Sequence, residues 1–460
     1  MSGGRIATII VGLARSKVLA VLLGPAGIGL MGVLQSVMST SSTLFGLGLR
    51  QSAVRQISAS GGDLHNLRTV RKALSRSNFL LGFFGLVLLW AFRGQLSVLV
   101  FDTPDRAADV GWMGAGVLLT LVAATHTALM QGLRRLADMV KAGLVGSALG
   151  TVAGIALVWS LGLEGVRWFV LSMPAFTLVG TLWYARKLPA SPIGRDSTSA
   201  VWTQWREMAS LGSYLMLSTL VGGVSALVVR SILTRELGID AAGQFQAAIA
   251  ISGHYLGLIL GAMAADYFPR LSENVADPSA FVTVVNEQLE VALLLVAPLL
   301  LSVLALAPLA LTIVYSPEFT SATGILRWQI VADVLKVVCW SLGFMILARG
   351  EGPIYLFMNV SGDILFMLAV FLLVPRLGLE AAGIAFLIQM AYSICLIWWF
   401  VGSRYQYVPT KSVRTYFGLL LMSAAATALL CNISALVGGA VGVCLSSAAV
   451  FLAYASLKRA

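Results

Sequence analysis

Long apolar runs recur from one end of this chain to the other, and they decide what it can fold into. Hydrophobic residues make up 58% of the 460 residues, and charged residues only 11%. A helix of about 20 apolar residues crosses a hydrocarbon core of roughly 30 Å. The runs do not show the polar and apolar alternation of membrane-barrel strands. The sequence therefore predicts an all-α polytopic membrane protein.

The apolar runs fall into two sets of six and a final pair, which gives about 14 predicted transmembrane helices. A polar segment rich in Ser, Pro and Gly separates the two sets and is typical of a linker. The predicted domains are an N-terminal six-helix lobe, a cytoplasmic linker, a C-terminal six-helix lobe and two additional transmembrane helices, at 1–188, 189–206, 207–403 and 404–460.

The two lobes are predicted to be homologous, because motifs recur with an offset of about 215 residues. Arg15 in ARSKVLAVLLGPAGIG has its counterpart at Arg230 in VVRSILTRELGIDAAG, and a glycine turn and a further apolar run follow each arginine. The motif LGLEG at Gly162 likewise matches LGLEAAG at Gly378. Because each lobe has an even number of spans, both share one orientation, with a pseudo-two-fold axis along the membrane normal.

The distribution of positive charge predicts the orientation. Most of the 31 Lys and Arg residues lie at the termini and in the loops on one side, whereas the opposite side is short of cations and rich in acids. The positive-inside rule then places both termini in the cytoplasm. The net charge of +11 follows from this topology, so no nucleic-acid partner is expected. The short loops also leave no room for a folded catalytic domain, so no enzymatic activity is expected.

Four cations remain inside predicted spans. A cation in hydrocarbon costs about 2.5–3.5 kcal/mol on insertion scales, so each should face water or a partner. One interpretation is an interhelical ion pair; the other is a substrate-binding site for a pyrophosphate or similar anion. The second is favoured because every acidic residue of the first lobe falls in a loop or at a span end. The candidate substrate-binding residues are Arg15, Lys17, Arg230 and Lys336.

Acidic residues do occur inside spans of the second lobe. Asp333 and Lys336 are three residues apart on one predicted helix, and Asp363 lies in the next span. These groups could form a local salt bridge, or one carboxyl group could couple transport to protons. His126 and His254 are further candidate proton carriers, with helix packing as the alternative.

Other common site motifs are missing from the sequence. It contains no G-x-x-x-x-G-K-[ST] phosphate loop and no H-E-x-x-H pair. We therefore expect no ATPase, no metal site and no cofactor.

Two adjacent segments resemble a known family. LAVLLGPAGIGLMGVLQSV, followed by FGLGLRQSAVRQIS, resembles the opening of Wzx-type polysaccharide-biosynthesis flippases, the O-antigen and enterobacterial-common-antigen translocases. The duplicated layout of residues 1–402 is similar to the multidrug/oligosaccharidyl-lipid/polysaccharide exporter superfamily. The two spans after the usual twelve depart from that pattern and are expected to pack outside the transport core.

The resemblance implies a fold and a function. The fold would be a V-shaped pair of six-helix lobes that alternates between inward and outward openings in the bacterial inner membrane. The cargo would be an undecaprenyl-pyrophosphate-linked, O-antigen-type oligosaccharide of lipopolysaccharide biosynthesis, moved from the cytoplasmic to the periplasmic leaflet. Helices 1 and 7 would line the central cleft and carry Arg15, Lys17 and Arg230. A glycan polymerase and chain-length proteins would be partners.

Three other functions stay open. A multidrug exporter of the same superfamily would favour acids in a lobe cavity, whereas this first lobe supplies cations. A lipid II flippase, which handles the peptidoglycan precursor, has similar cargo chemistry. An O-antigen polymerase or ligase would require a large periplasmic loop, which the short outer loops here disfavour.

Overall fold

The computed structural model describes residues 2–59, 64–187 and 198–457, and nearly all of them are helical. The helices of the first part are α1 Ser2–Gly46, α2 Leu49–Ala59, α3 Leu64–Ala91, α4 Arg93–Phe101, α5 Ala107–Gly132, α6 Leu136–Leu161, α7 Gly165–Ala185 and α8 Thr198–Leu237. Those of the second part are α9 Ile239–Glu273, α10 Pro278–Ala305, α11 Ala307–Val314, α12 Thr323–Ala348, α13 Gly352–Leu377, α14 Ala381–Tyr405, α15 Lys411–Ile433 and α16 Ala435–Leu457.

Within the described residues, nine helical stretches are long and apolar enough to cross a membrane, or ten if the bent α9 is counted. Two of these stretches, 136–185 and 352–405, each contain a pair of consecutive helices, and the stretch 11–46 contains a kink. A polytopic, almost entirely helical protein is confirmed. The total of about 14 spans and the V-shaped 6+6 layout stay predictions.

The repeat seen in the sequence recurs in the order and length of the helices. Helices α3 and α10 each have 28 residues, and α5, α6, α12 and α13 each have 26. Short 3-10 turns at Gly162–Glu164 and Gly378–Glu380 join the matching pairs α6–α7 and α13–α14. The first glycine of both turns has a positive φ, 59° and 58°, which glycine adopts without steric cost. The repeated LGLE motif therefore encodes the same turn twice.

Helix α1 folds back on itself at Gly24. This residue has φ 61° and ψ −166°, a backbone region open essentially to glycine alone. Before the break, Arg15 reaches Met173 of α7; after it, Met38 packs beside Leu171 of the same helix. A straight helix would hold residues 15 and 38 about 35 Å apart, so both can meet one stretch of α7 only if the chain reverses. The reversal lies where the sequence predicted a turn.

The structure divides into two compact units, Gly3–Gly243 and Gln244–Ala460. Helix α8 belongs to the first of them, and α9 begins in the first and continues into the second. The predicted lobe boundary lies earlier in the chain, at the linker. The boundaries of the four predicted domains stay predictions.

The predicted linker is shorter than its composition indicated. Residues 188–197 lie outside the described residues, but 198–206 form the first turns of α8. Val201, Trp205 and Met208 recur at helical spacing and pack against a core built by α2, α3 and α5. Trp202 stacks on Trp205 with ring centroids 4.7 Å apart. This apolar stripe stabilises helix in a segment that otherwise has a loop-like composition.

Two backbone crossings hold α1 and α2 against α8 and the start of α9 within the first unit. Near the fold of α1, a Cβ atom at Gly243 would strike the carbonyl oxygen of Pro25. Beyond the other end of α1, Gly48 and Gly212 approach each other in the same way. Small residues allow such close helix contact, and a side chain here would force the backbones apart.

The two C-terminal helices pack on α10, and α15 also touches α12, all within the second unit. Pro298 interrupts the hydrogen-bond ladder of α10, and its carbonyl oxygen accepts from Ser446 of α16 and from Ser302, each at 2.8 Å. Before α15, the buried Tyr407 donates to Asn286 of α10 at 3.0 Å, and burial raises the pKa of this hydroxyl so that it keeps its proton. Hydrogen bonds thus fasten both helices to one neighbour.

The crossing at Gly243 gives a stability prediction. Gly243→Ala should cost about 1–3 kcal/mol of folding free energy, because the new methyl group strikes the Pro25 carbonyl. Gly253→Ala on the same helix is the matched control, since a Cβ there meets nothing within 4 Å and alanine favours helix. Thermal unfolding midpoints of the purified variants in detergent measure the effect. Equal midpoints for the two variants would contradict this account of the crossing.

Candidate functional site

The first unit carries two of the predicted substrate-binding cations on the first segment of α1. Arg15 is half-buried, and its Nη1 lies 3.9 Å from the sulfur of Met173 on α7. Lys17 is also half-buried, two residues further along. Arg15 lies nine residues before the fold at Gly24, or about 14 Å by helical rise. The structure therefore holds both cations well inside an apolar helix.

Arg230 is the third cation of the first unit and lies on α8. Its side chain is only 8% exposed, and Nη1 donates to the carbonyl of Ala226 one turn earlier at 3.0 Å. The neighbouring Ser231 donates to the carbonyls of Leu99 and Val100 on α4, which fixes this turn of α8 against the unit.

The acidic groups described in the first lobe lie at helix ends, as expected, and arginines pair with most of them. Asp109, in the first turn of α5, is 5% exposed and lies 3.2 Å from Arg167 of α7. Asp102, after α4, pairs with Arg235 of α8 at 3.0 Å. Asp63 of this lobe and Asp196 of the predicted linker lie outside the described residues. The acids described there are therefore placed away from the depth of Arg15.

The second unit holds a buried polar cluster around Asp333. This side chain is fully buried, and its Oδ2 accepts hydrogen bonds from Tyr255 and Ser252 of α9, each at 2.6 Å. Lys336 Nζ lies 4.0 Å from Oδ1, on the same face of α12 as predicted. The lysine is 41% exposed and lies 5.5 Å from the centre of the Phe386 ring. Asp333 thus contacts one cation and two hydroxyl donors.

The remaining predicted coupling residues have different surroundings. Asp363 is half-buried and accepts from the amide of Gln389 on α14 at 3.0 Å. His254 Nδ1 contacts the carbonyl of Ala250 in its own helix, an arrangement typical of helix packing. His126 Nδ1 is buried and has no hydrogen-bond partner among the described residues. Of the predicted coupling residues, only Asp333 is seen to lie beside another candidate residue, Lys336.

Sequence reasoning missed the partners of the two carboxyl groups. Ser252 and Tyr255 are three residues apart on α9, so they share one face of an otherwise apolar helix. That spacing could have indicated a shared polar partner. No feature of the sequence near Gln389 indicated that it bonds Asp363. Among the described residues, no group of three or more His, Cys, Asp and Glu is placed to hold a metal ion.

Residues 18–323 match the model of a family described as polysaccharide biosynthesis protein. This chain belongs to that family. The Lipid III flippases of Escherichia coli (strain K12) and Shigella flexneri are each 24% identical over 396 residues, which cover 84% of this chain and 94% of theirs. Both relatives are flippases.

Solved structures share the fold of this family member. The lipid II flippase MurJ, in an inward closed conformation, superposes with a TM-score of 0.75 at 12% identity and covers 99% of both chains. An inward-facing multidrug resistance MATE transporter of the MOP superfamily has a TM-score of 0.72 at 16% identity, over 92% of this chain and 99% of that one. The predicted polysaccharide-biosynthesis family is confirmed, the fold is shared with these transporters, and the protein is a multi-pass membrane protein.

The Asp333 cluster gives a prediction about energetic coupling. Tyr255→Phe should destabilise the protein by about 1.5–3 kcal/mol, because it removes a hydrogen bond to a buried carboxyl group. In an Asp333→Asn background the same change should cost less, since the carboxyl oxygen that accepts the bond is replaced. A double-mutant cycle of unfolding free energies in detergent measures the difference. Strictly additive effects would show that the two side chains do not interact.

Proposed function

We propose that this protein is a lipid-linked oligosaccharide flippase, which moves an undecaprenyl-pyrophosphate-linked, O-antigen-type repeat unit from the cytoplasmic to the periplasmic leaflet. The observation that carries the proposal is the set of cations inside helices of the first unit, in a chain whose relatives include Lipid III flippases. A glycan cannot pass through hydrocarbon without losing its hydration, so such a lipid needs a polar route through protein.

In this proposal, Arg15, Lys17 and Arg230 bind the pyrophosphate. Guanidinium groups donate paired hydrogen bonds to phosphate oxygens, and a low-dielectric environment strengthens each ionic hydrogen bond. The buried Arg230 and half-buried Arg15 are costly in an apolar helix, and a bound anion offsets that cost. Lys336 is a fourth candidate cation, in the second unit.

Transport would proceed by alternating access in the bacterial inner membrane, with both termini cytoplasmic. The pyrophosphate would bind while the site is open to the cytoplasm and leave once water enters from the periplasmic side. Asp333 and Asp363 are proposed as coupling groups, with His126 and His254 as weaker candidates. A glycan polymerase and chain-length proteins would act on the exported unit, so this chain itself would carry no catalytic step.

A lipid II flippase is the second candidate, because the MurJ fold covers 99% of this chain. Lipid II also carries a pyrophosphate, so the same cations would bind it. Complementation of separate strains that lack the lipid II flippase, the Lipid III flippase or an O-antigen flippase distinguishes these cargos. Rescue of the first strain alone would overturn the O-antigen-type assignment.

The arginines give the main test of the anion site. Arg15→Ala and Arg230→Ala should each weaken binding of the pyrophosphate lipid by about 10- to 150-fold, the equivalent of a charged hydrogen bond of about 1.5–3 kcal/mol. Export should fall accordingly, as measured by complementation at matched membrane abundance. Arg235→Ala is the control, because it removes an arginine of α8 that pairs with Asp102. If both alanine variants complement fully, the anion site is not at these residues.

Ion coupling is tested separately. Asp333→Asn and Asp363→Asn should reduce transport driven by a proton gradient in proteoliposomes, because an amide side chain neither binds nor releases a proton near neutral pH. Binding of the pyrophosphate lipid should remain, since the anion site is intact. If transport does not depend on the proton gradient and both substitutions leave its rate unchanged, the two acids do not couple transport to protons.

A further inference from the structure

The first unit contains a cavity with several hydroxyl groups in its lining, here called the hydroxyl cavity, which the proposed pyrophosphate site does not use. It has a volume of about 180 Å³ and is bounded by the end of α1, the start of α2, and α3, α5 and α8. Pockets for drug-sized ligands measure about 300–1,000 Å³, so this cavity fits one part of a larger molecule. The polar side chains that matter here are those of Ser42, Thr43, Arg50, Gln51, Asn78 and Thr120.

The chemistry of this lining selects among ligands. Six of the twelve lining residues carry a hydroxyl or amide group, which can both donate and accept hydrogen bonds, and most of the remaining wall is carbon. No carboxylate lines the cavity among the described residues, which disfavours a metal ion or an organic cation. Among the described lining residues, Arg50 is the only cation. Its side chain is exposed, and its Nη2 lies 3.4 Å from Oε1 of Gln131. Such a wall suits a neutral ligand rich in hydroxyl groups.

Some polar side chains of the lining are held in place and can still form further hydrogen bonds. Asn78 is 2% exposed, and its amide donates to Thr125 at 2.9 Å, which fixes its orientation. Thr43 donates to the Ser39 carbonyl, so its oxygen can still accept. The hydroxyl oxygen of Ser42 is buried without a hydrogen-bond partner among the described residues. A buried polar group left unsatisfied costs about 1–3 kcal/mol, which a ligand hydroxyl would recover.

The position of the cavity fits a group attached to a bound pyrophosphate. Ser42 lies 18 residues after the fold at Gly24, or about 27 Å by helical rise, whereas Arg15 lies about 14 Å from it. Because α1 reverses at Gly24, both residues lie on the same side of the fold. The cavity is therefore about 13 Å beyond Arg15, toward the end of the unit that carries α2. In the proposed orientation, that end faces the cytoplasm, where a glycan awaiting transport must remain hydrated.

We propose that this hydroxyl cavity is a sugar subsite, which binds hydroxyl and amide groups of the glycan while the pyrophosphate binds at Arg15. The inference rests on the proposed flippase function and adds a part of the protein that recognises glycan. The pyrophosphate site would then bind any polyprenyl pyrophosphate, and the cavity would favour the glycosylated form.

The test compares two probes on purified full-length protein in lipid nanodiscs. The probes are decaprenyl pyrophosphate and decaprenyl-pyrophosphoryl-N-acetylglucosamine, with Kd measured for each. The wild type should bind the glycosylated lipid several-fold more tightly. The double variant Ser42→Ala/Thr120→Val should lose about 5- to 10-fold affinity for the glycosylated lipid and none for the bare lipid. Arg15→Ala should weaken both.

Control variants separate recognition from folding. Thr120→Ser keeps the hydroxyl group and should retain the preference, and Thr151→Val removes a buried hydroxyl of α6 outside the cavity and should change neither Kd. Equal loss for both probes in the double variant, or no preference in the wild type, would overturn the subsite while the flippase proposal stands. Binding of neither probe by the wild type would overturn the proposed function as well.

Discussion

Hydrocarbon accepts neither an unsatisfied backbone group nor an isolated charge, and the rest of this structure depends on that constraint. Helices satisfy every interior N–H and C=O within one segment, which explains why nearly all described residues are helical. Glycine appears where two backbones must cross closely, as at Gly48 and Gly212. Polar side chains that remain at depth then need partners, and those partners indicate where function resides.

The polar groups within the helices fall into two kinds. The Asp333 cluster is satisfied largely by protein, since Tyr255 and Ser252 donate to one carboxyl oxygen and Lys336 lies near the other. In the first unit, the interior arginines are the proposed site for a pyrophosphate, and the hydroxyl cavity is the proposed site for a sugar. Salt bridges such as Asp102–Arg235 lie at helix ends and are separate from both groups. This division is consistent with the proposed flippase function.

Much of this organisation was predictable, and its errors have physical causes. The fold at Gly24 and the paired 3-10 turns at Gly162 and Gly378 followed from glycine motifs, because positive φ angles are a local property. Composition did not indicate that α8 begins inside the predicted linker, because Val201 and Met208 stabilise helix there only by packing against a distant core. The hydrogen-bond donors to Asp333 were not predicted, because they lie on another helix and no sequence pattern near Asp333 indicates them.

The sequence by itself determined that the chain is a helical membrane protein with an internal repeat and that cations lie inside its spans. Those properties come from the length of apolar runs, the recurrence of motifs and the sign of each charge, all of which are read along one dimension. The tertiary structure alone decided that Arg15 meets α7, that Asp333 binds hydroxyl groups of α9, and that five helices enclose a hydroxyl cavity. Each of those contacts joins residues far apart in the chain, and only the packing of helices brings them together.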